Sequence, residues 1–293
     1  MVYNNSVYNH FYAVFLTKQS GWMTDTRFTM NVLYFPGCTL KNKAKQFDVY
    51  ARRCAVLLGV SPEEPKEWQC CGGAFTSSSD EIATKLSSVR LLKTAAEQGE
   101  PLVTVCSACH NVVKQTNYAM QNDPTFADRV NRYFAQENAA PYAGDAQVYH
   151  YLELLRDVVG FDKVAAAVKT PLKGKKIAAY YGCLLLRPSK VIGMDDPENP
   201  RIMEDLLTAL GAEPVIWARR NECCGGYVTA VSPEQAEKNS CKLADNAIAC
   251  GAEMIVTACP LCKYNLERQG CPIPVVYFTE LLAEAFGITE VQA

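Results

Sequence analysis

Short apolar runs alternate with amphipathic segments from Met30 onwards. The first apolar run ends at Pro36-Gly37, a pair that predicts the end of a strand immediately before Cys38. Apolar positions then recur at helical spacing up to Gly59, which predicts the stop of a helix. The first unit is predicted to contain a strand over 31–35, a helix over 43–58, a helix over 80–97, a strand over 102–105 and a helix opened by the polar turn 109–111.

The same order of elements returns in the second part of the chain. The predicted elements are a strand over 176–182, a helix over 200–210, a strand over 214–217, a helix over 233–250 and a strand over 254–258. Both parts end in similar text, at 151–155 and at 278–282. Residues 122–144 have no counterpart in the second part, so they are predicted to be an insertion, a helix followed by a loop.

The alternation of strands and helices predicts an α/β fold of two pseudo-symmetric halves, each a mostly parallel sheet flanked by helices. The run 171–175 is the best boundary. We therefore expect an N-terminal extension over 1–29, a first half over 30–170 and a second half over 171–293. Ligands collect at the carboxyl ends of parallel strands, so the two halves are expected to present their sites to a shared cleft.

Charge and hydropathy exclude several classes of partner. The net charge is −2 and no dense basic run occurs, which argues against a nucleic-acid surface or a polybasic membrane contact. No apolar run approaches the roughly 18–20 residues that span a bilayer, and the longest one near the N-terminus, 11–16, is too short for a typical signal core. The expected location is the cytoplasm.

The fourteen cysteines are the most informative residues. A long chain without a secretory signal favours metal ligation over disulfides, because a reducing cytosol keeps thiols unpaired. Ten cysteines form two sets with the same order. Cys54, Cys241, Cys250 and Cys271 lie outside the sets and are predicted to be small buried hydrophobic residues.

The spacing within the sets indicates an internal duplication. Each set has a leading cysteine, a Cys-Cys-Gly-Gly run and a C-x-x-C motif, and 35 positions separate Cys71 from Cys106 and also Cys224 from Cys259. The first set is Cys38, Cys70, Cys71, Cys106 and Cys109. The second set is Cys183, Cys223, Cys224, Cys259 and Cys262.

The pattern suits a metal centre with sulfur ligands. A C-x-x-C motif between a strand and a helix brings two sulfurs together near free N–H groups, and the glycines let further N–H groups point at sulfur. Four thiolates suffice for zinc or an ordinary cubane cluster. A fifth thiolate fits an open or cysteine-bridged iron cluster. The alternative is a structural zinc site held by four of the cysteines in each half, with the fifth thiol not bound to the metal.

These motifs resemble the duplicated cysteine-rich CCG domain found in the B-type subunit of heterodisulfide reductase. The likeness extends over about 30–287 and includes the strings YFPGCTLK at 34–41, LRPSK at 186–190 and DDPENP at 195–200. The first of these strings is more similar to the bacterial branch of that family. Many methanogen members have His directly after the leading cysteine of the second copy, where this chain has Leu184.

The resemblance implies two non-cubane [4Fe-4S] clusters, each held by one set of five cysteines. It further implies that a small disulfide lies between them, that each cluster contributes one electron and captures one sulfur on iron, and that protonation releases two thiols. The cysteines implied to act at the cleft are Cys38, Cys70, Cys71, Cys183, Cys223 and Cys224.

The family also implies that electrons come from a ferredoxin-like iron–sulfur partner of the same complex, which is fed in turn by a flavin-containing partner. The chain itself has no Gly-x-Gly-x-x-Gly fingerprint and no C-x-x-C-x-x-C run, so neither a flavin site nor a cubane relay is predicted. The alternative is a CCG protein that passes electrons within a dehydrogenase or quinone-linked complex and has no disulfide chemistry. A metal store is disfavoured because the sets lie on ordered α/β elements.

Three polar residues, His110, Arg187 and Lys190, are secondary candidates. His110 follows a ligand cysteine and is a candidate proton donor, although a capping or solvent-facing role is favoured. Arg187 and Lys190 lie just past Cys183 and suit either an anionic substrate tail or a solvated loop edge. His150, near a strand end, has no partner in the sequence that suggests catalysis.

Overall fold

The computed structural model describes residues 29–73 and 81–288. The extension expected over 1–29 therefore lies outside the described residues except for Thr29. The first half contains β1 (Met30–Phe35), α1 (Gly37–Asn42), α2 (Lys45–Leu57), β2 (Val60–Glu63), α3 (Glu81–Gln98), β3 (Leu102–Thr104), α4 (Ser107–Asn122), α5 (Pro124–Gln136), β4 (Val148–His150), α6 (Tyr151–Glu153), a π-helical segment (Leu154–Val159) and α7 (Phe161–Ala166).

The second half repeats the plan without the insertion. It contains β5 (Lys176–Tyr180), α8 (Ser189–Ile192), α9 (Ile202–Ala209), β6 (Glu213–Val215), α10 (Pro233–Ala249), β7 (Met254–Thr257), α11 (Pro260–Arg268), β8 (Val275–Tyr277) and α12 (Phe278–Ala285). Among the described residues, no helix is both long and apolar enough to cross a membrane.

Each half is built on one four-stranded parallel sheet, and the two strand orders correspond. The first sheet has the order β2-β1-β3-β4 and the second has β6-β5-β7-β8. The registers agree in kind, with Leu33 opposite Leu102 in the first sheet and Ile177 opposite Met254 in the second. The α/β fold of two duplicated halves, each with a parallel sheet flanked by helices, is confirmed.

The central strands are buried because helices cover both faces of a parallel sheet. β3 is buried along its whole length, and β1 and β5 are buried after their first one or two residues. Such strands are short continuous apolar runs, and this is why the sequence pattern located them.

The two halves share core contacts. The ring of Tyr277 stacks on Phe47 at a centroid distance of 4.7 Å, and the hydroxyl of Thr279 donates to the Phe47 carbonyl at 3.1 Å. In this way α12 of the second half packs on α2 of the first. In return, α6 and α7 of the first half pack on α9. The boundary between residues 170 and 171 stays a prediction.

The predicted insertion and one helix start have clear local causes. Residues 122–144 form α5 and a following loop, as predicted. Asp123 caps α5 by accepting the Phe126 N–H at 3.0 Å.

In the second half, the Asp195 carboxylate accepts the N–H groups of Arg201 and Ile202 at 2.6 and 2.7 Å, so α9 begins after the predicted start at residue 200.

Two predicted elements differ from the structure. The strand predicted over 214–217 is limited to Glu213–Val215, an edge strand that tolerates Pro214, because the chain leaves the sheet after Val215 and turns Trp217 inward. The Trp217 indole is buried and donates to the Ala179 carbonyl at 2.9 Å. Residues 109–111 do not form a turn before a helix, since α4 already begins at Ser107.

Candidate metal centres

The first cysteine set comes together at the carboxyl edge of the first sheet. Cys38 lies just past β1 at the start of α1, and Cys106 lies just past β3 as the residue that precedes α4. The Cys38 and Cys70 sulfurs are 3.6 Å apart, and the Cys71 and Cys109 sulfurs are 3.3 Å apart. Cys109 also contacts Cys106, and Cys71 contacts Cys70. All five predicted thiols therefore form one connected group.

The second set repeats this arrangement in the second half. The Cys183 and Cys223 sulfurs are 3.8 Å apart, and the Cys224 and Cys262 sulfurs are 3.6 Å apart. Cys259 contacts Cys262, and it immediately precedes α11 in the way that Cys106 precedes α4. The structure thus brings together the five thiols of each set in the same pairwise order.

The crowding of thiols divides their proton affinities. Contacts with Cys109 and Cys70 lower the pKa of Cys71 to about 3, whereas contacts with Cys106 and Cys71 raise the pKa of Cys109 well above its ordinary value. In the second set the contact with Cys183 lowers the pKa of Cys223 to about 2. Neighbouring sulfurs without a cation cannot all be anionic, so a bound cation is what would hold every thiol as a thiolate.

Backbone N–H groups of the glycine runs point at sulfur. The Gly225 N–H donates to the Cys223 sulfur at 3.3 Å, and the Gly72 and Gly73 N–H groups are hydrogen-bonded to the Cys70 and Cys71 sulfurs respectively. This confirms the role expected for the glycines that follow each cysteine pair. Hydrogen bonds to ligand sulfur are one of the ways in which a protein tunes the potential of an iron–sulfur centre.

Glycine is also required directly before each leading cysteine. Gly37 has φ +76°, and a Cβ there would lie 2.7 Å from the Cys109 sulfur. Gly182 occupies the equivalent position with φ +64°, and its Cβ would lie 3.3 Å from the Cys262 sulfur. The chain therefore passes close to the last thiol of each set at a point where a side chain would fill the space around sulfur.

Exposure is graded in a similar way in both sets. Cys38 and Cys223 are exposed and Cys70 and Cys183 are half-buried. The other six thiols are buried, namely Cys71, Cys106, Cys109, Cys224, Cys259 and Cys262. Each set therefore has a dry inner part and an open edge formed by the leading cysteine and the first cysteine of the pair.

The donor set fits a polynuclear sulfur-ligated centre. Within 29–73 and 81–288, no group of three or more His, Cys, Asp or Glu side chains is arranged to hold one metal ion. The thiols of a set instead follow one another in a chain of contacts along the sheet edge. Ligands of sulfur alone select iron–sulfur clusters or zinc. Buried sulfurs, N–H groups aimed at them and glycines that leave space around them are the features that suit an iron–sulfur centre.

The two sets lie against each other. Ser107 donates from its N–H at 3.2 Å and from its hydroxyl at 2.8 Å to the Ala258 carbonyl, so the first C-x-x-C motif contacts the residue that directly precedes the second. A second contact runs from the second half to the first, where the Tyr227 hydroxyl donates to the Gly73 carbonyl at 3.0 Å. Burial, and then the neighbouring thiols Cys259 and Cys106, raise the pKa of Tyr227. A tyrosine that the sequence analysis missed thus lies between the two sets.

His110 is buried and lies within the first turn of α4, whose N-cap residue is Cys106, so neither the solvent-facing nor the capping role favoured for it is correct. Its Nδ1 lies 3.2 Å from the Thr104 hydroxyl and its Nε2 lies 3.4 Å from Glu153, which Lys114 also contacts at 3.1 Å. Burial lowers the pKa of His110 and raises that of Glu153. His150 lies beside His110, with ring centroids 5.4 Å apart, and both rings are fully buried.

The second half has an equivalent pair. Lys263 follows Cys262 as His110 follows Cys109, and its ammonium lies 3.9 Å from Glu280 and 2.7 Å from Glu267. Glu280 and Glu153 occupy matching positions in the repeated text, and each accepts the N–H of the residue before its helix. The repeat of a cation or imidazole next to the last cysteine, facing this glutamate, is the signal that could have located the buried pair.

The remaining candidates are surface residues. Arg187 is exposed and pairs with Glu198 at 2.9 Å, which is the loop-edge role, and Lys190 is exposed as well.

Of the four cysteines outside the sets, Cys54 is buried as predicted, and burial raises its pKa to about 12. The same prediction is wrong for Cys241 and Cys250, which are exposed, because the buried face of α10 consists of residues other than Cys241 and because Cys250 follows the end of the helix. Cys271 is half-buried.

Comparison with known proteins agrees with the duplication. A model of the cysteine-rich CCG domain matches residues 32–114 and again residues 177–267. The 8-methylmenaquinol:fumarate reductase membrane anchor subunit of Wolinella succinogenes is 30% identical over 265 residues, 87% of this chain and 92% of that protein. The B-type subunit of the ferredoxin/F(420)H(2)-dependent CoB-CoM heterodisulfide reductase of Methanosarcina acetivorans is 28% identical over 270 residues, 87% of this chain and 89% of that protein.

Further comparisons extend the family and the fold. A protein of Archaeoglobus profundus, named as similar to the B-type subunit of heterodisulfide reductase, is 28% identical over 86% of this chain and 89% of that protein. A hypothetical protein from Helicobacter pylori of known crystal structure has the same fold, with a TM-score of 0.68 at 11% identity over 91% of this chain and 50% of that chain. With ten cysteines gathered in two equivalent sets, the chain belongs to the cysteine-rich CCG domain family and contains two copies of the domain.

Proposed function

We propose that this chain is the disulfide-reducing subunit of a heterodisulfide reductase-type complex, with one non-cubane [4Fe-4S] cluster on each cysteine set. The observation that carries the proposal is that two complete five-thiol sets are joined by hydrogen bonds between Ser107, which follows Cys106, and Ala258, which precedes Cys259. Relatives named as the B-type subunit of heterodisulfide reductases match most of the chain and support this class of electron-transfer protein.

The chemistry needs two electron-transferring centres side by side. Cleavage of a disulfide consumes two electrons and two protons and gives two thiols, and an iron–sulfur centre, when bound, passes one electron at a time. Both sets retain all five cysteines, so neither half has lost its ligands. The open edge of each set, Cys38 with Cys70 and Cys183 with Cys223, is where a substrate sulfur can approach.

The surroundings leave room for a small substrate. A cavity of about 640 Å³ lies between α1 of the first half and α11 of the second. Its lining includes Thr39, which follows Cys38, and Pro260 and Leu261, which lie between Cys259 and Cys262. Its volume is in the range of small-molecule sites. Lys43, Lys45 and Lys263 line it together with the apolar Phe47 and Leu261, and Glu267, which pairs with Lys263 at 2.7 Å, lines it as well. This environment favours a disulfide that carries anionic groups on an apolar frame.

A second candidate is electron transfer toward a quinone without disulfide chemistry. One relative is named as the membrane anchor subunit of a menaquinol-linked fumarate reductase. Large apolar side chains are exposed beside the second set at Tyr227, Val228, Val231 and Tyr264, and Val231 is 86% exposed. Such a patch next to a redox centre suits contact with a partner protein or an apolar electron carrier.

Electrons have to reach the chain from outside. We propose that the direct partner is a ferredoxin-like iron–sulfur protein of the same complex and that a flavin-containing protein supplies it in turn, in the cytoplasm. The sequence supports a need for partners, since it has no dinucleotide fingerprint and no ferredoxin-type cysteine run. Zinc at one of the sets is the competing occupant.

Thiol formation from small disulfides tests the proposed function. Anaerobically purified, iron-loaded protein with reduced methyl viologen should convert a panel of anionic disulfides to thiols, with two thiols formed for two viologens oxidised. A Cys250→Ala variant is the matched control, because Cys250 is exposed and outside both sets. No thiol formation, together with viologen-dependent reduction of a menaquinone analogue, would reject disulfide reduction in favour of the second candidate.

A further inference from the structure

The two cysteine sets meet at one buried junction. Ser107, the residue after Cys106, donates two hydrogen bonds to the carbonyl of Ala258, the residue before Cys259, at 3.2 Å from the N–H and 2.8 Å from the hydroxyl. Ser107 is 1% exposed and Ala258 is fully buried. Because each of these residues is joined by a peptide bond to a cysteine, a single hydrogen bond completes a bonded path from one set to the other.

The junction is asymmetric although the halves are duplicated. Pro260 occupies the position of Ser107 in the second half, and proline has no N–H to donate. The Val105 carbonyl corresponds to that of Ala258, and the Tyr277 hydroxyl contacts both carbonyls, that of Ala258 at 3.2 Å. Ser107 makes the direct backbone-to-backbone hydrogen bond at the junction, and the Tyr277 side chain bridges the same two carbonyls.

A buried bonded contact of this kind is suited to electron transfer. Electron tunnelling weakens steeply across gaps and is favoured along covalent and hydrogen-bonded paths in a rigid interior. Water is excluded from the junction, and the donors are already fixed, so little reorganisation accompanies a change of charge. A disulfide takes up two electrons, so a partner that reduces only one set would leave the second set to be supplied across the junction.

We infer that the hydrogen bonds of Ser107 to Ala258 are the electronic coupling between the two cysteine sets, through which an electron delivered to one set reaches the other. The inference rests on the proposed function, in that both sets hold an iron–sulfur centre. In each event one set is oxidised and the other is reduced by one electron, and the external reductant replaces that electron. Ser107 is a positioning residue, because it acts through the cysteines and not on the substrate.

The chain itself supplies the decisive variant. Ser107→Pro removes both donors and reproduces the second half, where Pro260 is the first residue of α11. Proline is well tolerated at that helix position and after an extended residue. Cys106 is extended, with φ −105° and ψ 123°, as is Cys259 with φ −121° and ψ 113°. Ser107→Ala is the milder change, since it keeps the N–H and removes only the hydroxyl.

The measurement is redistribution of one electron after flash photoreduction of iron-loaded protein, followed by freeze-quench electron paramagnetic resonance. In the unmodified protein, signal should move rapidly from the first centre reduced to the other. Ser107→Ala should slow this phase and Ser107→Pro should slow it further, with only the Tyr277 contact to the Ala258 carbonyl left at the junction, while the spectra of the separate centres stay in place. An unchanged redistribution rate in either loaded variant would overturn the inference.

A matched control separates coupling from general disturbance. Ser88 is equally buried and donates to the Cys71 carbonyl at 3.2 Å, but it links no residue of the second set. Ser88→Ala should therefore keep the fast phase. If Ser107→Pro fails to load iron, Ser107→Ala decides the matter alone. Absence of disulfide turnover in the unmodified protein would reject the proposed function, yet the redistribution rate could still be measured. Failure of the proposed function and failure of this inference are therefore distinguishable.

Discussion

Replacing Cys224 by Ala should abolish disulfide turnover while the spectrum of the first centre stays in place. The Cys224 sulfur is buried and lies 3.6 Å from that of Cys262, so its loss breaks the second set at its centre. We expect a loss of turnover above about 100-fold, because even an outer-shell partner of a metal typically contributes about 10–100-fold. Turnover and the electron paramagnetic resonance spectrum of the anaerobic variant are the measurements.

The matched control for this change is a thiol that is buried but outside both sets. Cys54→Ala removes a fully buried thiol on α2 and should leave both centres and the turnover intact. Should Cys224→Ala retain the turnover of the unmodified protein, a mechanism that requires both centres would be wrong. Equal losses in Cys54→Ala and Cys224→Ala would instead attribute the effect to instability of the fold.

Gly37→Ala is expected to remove the first centre and to destabilise the fold. An alanine at φ +76° costs about 1–2 kcal/mol in backbone strain. Its Cβ would also lie 2.7 Å from the Cys109 sulfur, and overpacking in a dense interior typically costs about 1–3 kcal/mol more. Iron should fall to about half of the unmodified content, since the second set is untouched. Iron analysis and denaturant unfolding measure the two effects.

Gly174 supplies the control, because it has the same backbone conformation without the crowding. Its φ is +75°, and a Cβ there would meet no atom within 4 Å. Gly174→Ala should therefore show only the backbone cost of about 1–2 kcal/mol and full iron. If Gly37→Ala loads as much iron as Gly174→Ala and is equally stable, the space around the Cys109 sulfur is not needed for a centre.

The strands and the duplication were predictable because they depend on local and periodic signals. β3 and β7 are short apolar runs that lead to Cys106 and Cys259, and burial on both faces is what makes such runs continuous. The equal spacing of the cysteines located both sets. Each set is assembled at the carboxyl edge of its sheet, and the order of elements along the chain was sufficient to predict that edge.

The contacts between distant parts of the chain could not be predicted in the same way. Ser107 lies 151 positions from Ala258, and no pattern within either half indicates that the two C-x-x-C motifs touch. His110 looked like a polar surface residue because its partners, Thr104 and Glu153, lie on other elements. Burial of a polar side chain depends on tertiary neighbours, which a local pattern does not contain.

Cys241 and Cys250 show the opposite error, since they were predicted to be buried and are exposed. Cys is among the residues most often buried, which is why burial was expected for Cys241 and Cys250. The inward positions of α10 are taken by Ala236, Leu243 and Ala247, so Cys241 lies on the outward side, and Cys250 is the exposed residue directly after the helix. A hydrophobic residue type on an amphipathic helix follows the face on which it falls.

The metal content of protein purified under strictly anaerobic conditions, with any partner proteins that co-purify, tests the central claim most directly. If each set of five thiols holds an iron–sulfur cluster of four irons, the chain should carry roughly eight irons and a similar amount of acid-labile sulfide. Stoichiometric zinc with little iron would contradict the account.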